Sequence, residues 1–183
     1  MSQEIWTIGH SRRSAEEFLE LLQIYNIEAL ADVRRFAVSR RFPHFSQLEL
    51  FKTLKRAGIE YHHFAELGGR RRANPESSNT AWRNESFRGY ADYMDTAPFQ
   101  NGIKRLMELA DRKRTAVMCA EAVWWRCHRA LIADCLKSKG VTVIHIIGKN
   151  SKQEHPFTSA ARLVDGKLDY TAEETPELEP HLV

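Results

Sequence analysis

Two hydrophobic periods alternate along this chain. Ile5-Trp6-Thr7-Ile8 is a short, largely apolar run stopped by Gly9, the pattern of a buried strand. Phe18, Leu21, Leu22 and Tyr25 then recur at helical spacing, and Ser14 with Glu17 predicts a capping box at that helix's start. Ala29–Val33 reads as a second strand. Ser46 and Glu49 repeat the capping signature ahead of Leu50, Phe51, Leu54 and Ala57, with Gly58 as the stop. Ile59–Phe64 is a third strand, closing at Gly68-Gly69. The polar stretch from Arg70 to Glu85, with Pro75, Ser77, Ser78 and Asn79, reads as a long mobile loop. Helical periodicity returns over Phe87–Met94 and Phe99–Lys113, then come a strand over Thr115–Met118, a helix over Trp124–Lys139 and a strand over Val141–Ile146. Asp165-Gly166, between Arg162–Val164 and Lys167–Tyr170, predicts a tight hairpin.

This order predicts an α/β fold of three layers. Its centre is a mostly parallel, five-stranded, Rossmann-like sheet with helices on both faces, followed by a C-terminal β-hairpin. A length of 183 residues suits one domain, read as residues 1–170, with an acidic tail over 171–183. Apolar runs such as Val141–Ile147 are too short to span a bilayer, and the N-terminus lacks the pattern of a signal peptide. Three cysteines, an odd number, give no disulfide framework, so a reducing cytoplasmic setting is expected. Charge is uneven: residues 165–183 hold six acids against Lys167, a net of −5. The whole chain is at +3, so residues 1–164 carry +8, which favours an anionic partner.

In open parallel sheets, ligands bind beyond the carboxyl ends of the strands. The first strand ends in Gly9-His10-Ser11 and the second in Asp32-Val33-Arg34-Arg35. The third ends in Glu66-Leu67-Gly68-Gly69-Arg70 and the fourth in Cys119-Ala120-Glu121. Polar and glycine residues thus gather where one active site would form.

The same residues carry a resemblance. Thr7-Ile8-Gly9-His10-Ser11, Asp32-Val33-Arg34, Ser39-Arg40, Glu66-Leu67-Gly68-Gly69, and Cys119-Ala120-Glu121 followed by Cys127-His128-Arg129 resemble the DUF488 family of bacterial and archaeal proteins. The resemblance runs from about Ile5 to Tyr170 and includes His155-Pro156. It implies a compact α/β fold and a shared polar site, without a substrate. Many relatives have proline after the Asp-Val-Arg segment, where this chain has Phe36-Ala37-Val38, so the loop to Ser39-Arg40 is expected to differ.

Cys119, at a strand end and read as preceding a helix, is the candidate nucleophile; the alternative is a small core residue. Lowering a thiol pKa from about 8.5 to about 6 requires roughly 3.4 kcal/mol. One arginine about 4.5 Å away supplies about that much at an effective dielectric near 20. Cys127 and Cys135 align with Leu131 at helical spacing and read as core. No metal-ligand spacing is present. His10 and Glu121 are candidate proton carriers, although a structural histidine and a helix-capping acid are the competing readings. Arg34, Arg40 and Arg129 are candidate anion ligands, with a salt bridge to Asp32 or Glu121 as the alternative for Arg34. Ser11, Asp32, Ser39, Gly68, Gly69 and His128 complete the expected ligand-binding set, and Arg70–Glu85 is a candidate lid.

No nucleotide fingerprint or cofactor signature is legible. The leading expectation is an enzyme acting on a phosphorylated or nucleotide-type ligand. The rival is a non-catalytic nucleic-acid or nucleotide binder that stacks bases on Trp82 or Trp124-Trp125.

Overall fold

Strand residues alternate between two apolar cores, and that alternation sets the layers. The computed structural model describes residues 3–173. Residues 174–183, most of the expected acidic tail, lie outside the described residues. The elements run β1 (Glu4–Gly9), α1 (Ala15–Ile24), β2 (Ala29–Asp32), α2 (Gln47–Arg56), β3 (Glu60–His63), α3 (Glu85–Met94) and α4 (Ala97–Arg112). They continue with β4 (Thr115–Cys119), α5 (Arg129–Ser138), β5 (Thr142–Gly148), β6 (Ser151–Glu154), β7 (Arg162–Val164) and β8 (Lys167–Asp169). On β1, Ile5 enters one core while Trp6 and Ile8 enter the other. Val117 and Cys119 of β4 follow Ile5, and Ala116 and Met118 follow Trp6. Phe18, Leu21 and Leu22 of α1 and Leu50 and Leu54 of α2 cover the second core. The first is covered by α3, α4 and α5 through residues such as Tyr90, Ile103 and Leu131. This is the predicted three-layer α/β arrangement.

The main sheet has the order β3-β2-β4-β1-β5-β6. Its first five strands are parallel, and β6 joins the edge antiparallel to β5. β6 is a sixth strand beyond the five expected. Its sequence, Ser-Lys-Gln-Glu, is exposed throughout and carries no apolar alternation, as suits a charged edge strand. The hairpin forms as predicted, with Asp165 at φ 49° and Gly166 at φ 74°, the two positive values a tight primed turn needs.

Two local expectations are corrected. Ser14 and Glu17 do form a capping box, but the Ser46 side chain caps no helical amide. Its hydroxyl donates instead to the Pro43 carbonyl of a short 3₁₀ turn, Pro43–Phe45. The helix expected over Trp124–Lys139 is broken: Trp124–Arg126 form a 3₁₀ turn, Cys127 is extended, and α5 starts at Arg129. Trp124 packs flat on His145, with ring centroids 4.6 Å apart. The Arg70–Glu85 segment is irregular but anchored. The Asp92 carboxylate accepts from the Asn74 amide and from the Ser77 and Asn79 side chains, and the Ala81 amide donates to the Tyr170 carbonyl. Among the described residues, no helix is long and apolar enough to cross a membrane.

The winding of the chain creates a crevice. The segment leaving β1 passes to the face carrying α1, whereas the segment leaving the adjacent β4 passes to the face carrying α5. Such a switch point opens a cleft beyond the strand ends. Gly9 lies there beside Cys119, and a Cβ at Gly9 would sit 1.7 Å from the Glu121 carbonyl oxygen. Gly9→Ala is therefore expected to destabilise the protein by about 1–3 kcal/mol through overpacking. A urea midpoint unchanged from wild type would refute this close-approach constraint.

Candidate functional site

At the switch point lies a cleft of about 1090 Å³. Of the residues expected to form the site, His10, Ser11, Arg34, Ser39 and Arg40 line it. Gly69, Cys119, Glu121 and His128 line it as well. Asp32, Gly68 and Arg129 do not; they form the support behind it. A Cβ on Gly68 would collide with the Arg35 backbone at 2.5 Å, so this glycine admits a close approach, and positive φ falls on Arg70 instead. Arg12, Arg35, Phe36, Phe42 and Cys127 join the lining without having been singled out as site residues, and so does Arg70, for which the sequence leaves open a phosphate clamp or a solvated run.

Asp32 is fully buried and accepts from the backbone amide, Nε and Nη2 of Arg34, at 3.1, 2.9 and 2.6 Å, and from the Tyr61 hydroxyl at 2.7 Å. Burial works against the Arg34 charge, but the Asp32 bonds and charge outweigh it and raise its pKa. The salt-bridge alternative for Arg34 is thus realised. Its Nη1 remains buried and without a protein partner.

His10 stacks on Phe45 at 4.2 Å, and its Nδ1 lies 2.9 Å from the Ser11 carbonyl. A carbonyl only accepts, so Nδ1 carries the hydrogen and Nε2 holds the lone pair. Burial, with a smaller contribution from Arg34, lowers the His10 pKa to about 4 despite the Ser11 bond. His10 is therefore a neutral acceptor near pH 7. Glu121 does not orient it, since the Ser11 carbonyl fills that role.

The sulfur chemistry departs from expectation. Burial raises the Cys119 pKa well above the ordinary thiol value, and hydrogen bonding with Cys127 adds to the shift. Cys127 is buried in the core, as read from the sequence, but its pKa moves the other way. Burial opposes its ionisation, but hydrogen bonding with Cys119 and the charge and amide of Arg129 lower it to about 7. The two sulfurs lie 2.8 Å apart, and the Arg129 amide points at Cys127 Sγ from 3.5 Å. α5 starts at Arg129, so its positive N-terminus serves Cys127 rather than Cys119. His128 Nε2 lies 3.0 Å from the Val33 carbonyl and must donate to it, leaving Nδ1 to accept from Cys127 at 3.5 Å. Burial lowers the His128 pKa as well.

Arg129 is 1% exposed and lies beneath the cleft, which removes it as a direct anion ligand. Nη1 donates to Thr7 Oγ1 at 3.2 Å and Nη2 to the Glu121 carbonyl at 2.8 Å. Thr7 belongs to a buried chain unmarked by any sequence motif. Asp134 Oδ1 meets His155 Nε2 at 2.9 Å, His155 Nδ1 meets His145 Nε2 at 2.9 Å, and His145 Nδ1 meets Thr7 Oγ1 at 2.6 Å. Burial lowers the His145 pKa to about 2, so this ring stays neutral within the chain.

The expected stacking surfaces lie elsewhere. Trp82 packs on Phe87 and Tyr170, Trp124 packs on His145, and neither they nor the exposed Trp125 line the cleft. Of the expected lid, Arg70–Glu85, only Arg70 reaches it.

Two measurements follow. In the native protein, iodoacetamide should modify Cys127 first, with a midpoint near pH 7 by peptide mass mapping; prior labelling of Cys119 would reverse the assignment. His10 and His145 have folded pKa values below the unfolded value of about 6.5, so the unfolded state binds more protons below that pH. Stability should be full above about pH 6.5 and fall toward pH 4, and His10→Gln should reduce the slope by up to one proton, ~1.4 kcal/mol per pH unit. An unchanged slope in urea titrations would show that His10 is not held neutral.

No curated protein and no solved structure matches the chain. The model of the family described as "Domain of unknown function DUF488" matches residues 14–136, from the cap of α1 to the body of α5. The strand-end motifs from Asp32 to Arg129 fall within that match, and the chain belongs to the DUF488 family.

Proposed function

We propose that the protein is an enzyme acting on a phosphorylated or nucleotide-type ligand bound in the switch-point cleft. The observation that carries this reading is the charge of the lining: five arginines, Arg12, Arg34, Arg35, Arg40 and Arg70, against the single carboxylate of Glu121. A cleft of about 1090 Å³ has room for a nucleotide. Arg12, Arg40 and Arg70 are exposed, and among the described residues no acid pairs with them. They are free to meet an anion in fork geometry, and Arg34 Nη1 supplies a further donor at the inner wall. Phe36, which is 60% exposed, and Phe42 offer the aromatic surfaces that the tryptophans do not.

Within this reading Cys127 rather than Cys119 is the nucleophile, because its thiolate is the one favoured by Arg129 and the start of α5. His10 Nε2, a neutral acceptor, takes the proton from the water that attacks the Cys127 adduct, and Glu121 carries protons toward solvent.

The test is calorimetric titration of inorganic phosphate and of a set of nucleoside monophosphates against wild type, Arg40→Ala and Arg70→Ala. Each truncation removes a charge-assisted contact and should weaken binding about tenfold, ~1.4 kcal/mol. Cys127→Ser should keep that affinity and lose turnover of any ligand found to react. Equal affinities across the three proteins would overturn the anion site. Tight, steeply salt-dependent binding of long single-stranded DNA, unaffected by Cys127→Ser and without turnover, would favour the non-catalytic binder.

A further inference from the structure

Cys119 and Cys127 are both free, both buried at the cleft floor, and in contact with each other. Anion binding gives no reason for two adjoining sulfurs. Closing their 2.8 Å separation to the about 2.05 Å of a disulfide needs a shift of about 0.8 Å. The surroundings favour the reduced, ionised form of one partner only. Arg129 has no carboxylate within ion-pair distance among the described residues, and its Nε is buried with no oxygen or nitrogen partner. Burial disfavours its charge, and the Cys119 and Cys127 sulfurs are what raise its pKa. Cys127 also accepts from the Arg129 amide, whereas Cys119 has the Glu121 carbonyl as an acceptor 3.8 Å away. This is one thiolate beside one retained thiol.

We propose that Cys127 and Cys119 form a two-electron redox centre that reduces a small hydroperoxide and closes to a disulfide. The Cys127 thiolate attacks the distal oxygen of the peroxide. A sulfur–oxygen bond forms, the oxygen–oxygen bond breaks, and the alkoxide or hydroxide leaves with a proton from solvent, giving Cys127 sulfenic acid. Cys119 then gives its proton to the departing hydroxyl and attacks Cys127 Sγ, so that the disulfide forms and water leaves. For hydrogen peroxide, two thiols are oxidised and one peroxide becomes two waters. A soluble dithiol reopens the pair by exchange and closes the cycle.

This inference is separate from the anion reading, since it needs the two sulfurs and no bound ligand. The full chain is reduced, desalted into phosphate-free buffer and treated with hydrogen peroxide. Remaining thiols are then alkylated under denaturing conditions. Wild type should lose about 2 Da and yield a peptide pair joining Cys119 to Cys127, with only Cys135 still alkylated. Cys135 serves as the internal control, because burial raises its pKa to about 11. Dithiothreitol should restore all three thiols. In Cys119→Ser, dimedone should label Cys127 and no mass loss should occur. Three persistent thiols, a link involving Cys135, or a dimedone label elsewhere would overturn the proposal. Should Cys119→Ser fail to fold, the wild-type peptide map alone decides. Failure here leaves phosphate binding to be judged by its own titration, and failure of that titration leaves the disulfide measurement intact.

Discussion

A buried guanidinium with no carboxylate partner is the constraint around which this molecule is arranged. Arg129 is 1% exposed, and an uncompensated charge at that depth would cost several kcal/mol. Its compensation comes from groups on separate elements: Thr7 of β1, the Glu121 and Ala122 carbonyls after β4, and the sulfurs of Cys119 at the end of β4 and Cys127 just ahead of α5. Each is weaker than a carboxylate. The balance improves when Cys127 gives up its proton, which is why the arginine and the thiolate stabilise one another. Structural and chemical roles cannot be separated here.

The same constraint reaches the C-terminal third. Thr7 can accept from Arg129 because its own hydroxyl hydrogen goes to His145 Nδ1. His145 in turn donates to His155, and His155 to Asp134, which also accepts from Thr158 and Tyr170. A single direction of donation runs along this chain and fixes the tautomer of both rings. Through it the segment after β6 helps hold Arg129 in place. The carboxylate missing from Arg129's own surroundings thus lies at the chain's far end, as Asp134.

Much of this frame was legible in the sequence because strands and helices bury apolar side chains at different periods. Ile5–Ile8, Ala29–Val33 and Val141–Ile146 each announced a strand, and Asp165-Gly166 announced its turn. β6 was not legible, since an edge strand of Ser-Lys-Gln-Glu has no apolar pattern to read. At the site, strand ends placed His10, Arg34, Cys119 and Glu121 in one cleft. They could not show that Asp32 saturates one side of Arg34, or which sulfur ionises. The helical alignment of Cys127, Leu131 and Cys135 pointed toward core packing because it assumed a helix from Trp124. With the helix starting at Arg129, its first amide points at Cys127 rather than Cys119. Ahead of that boundary Trp124 stacks on His145, a contact between residues distant in sequence.

The ionisation states divide the cleft into two zones. His10 and His128 each lend a ring N–H to a backbone carbonyl and are kept neutral by burial, so neither adds positive charge near pH 7. Positive charge at the rim belongs to arginines. At the floor, the hydrogen bond with Cys119 and the charge of Arg129 lower the Cys127 pKa to about 7, and Arg129 lies behind the sulfur, beneath the cleft. Under the proposed reading, an anion entering the cleft would meet attraction at the rim and the Cys127 sulfur at the floor. Had Arg129 projected into the cleft, an incoming anion would have competed with Cys127 for the same cation. Its burial beneath the floor keeps the two apart.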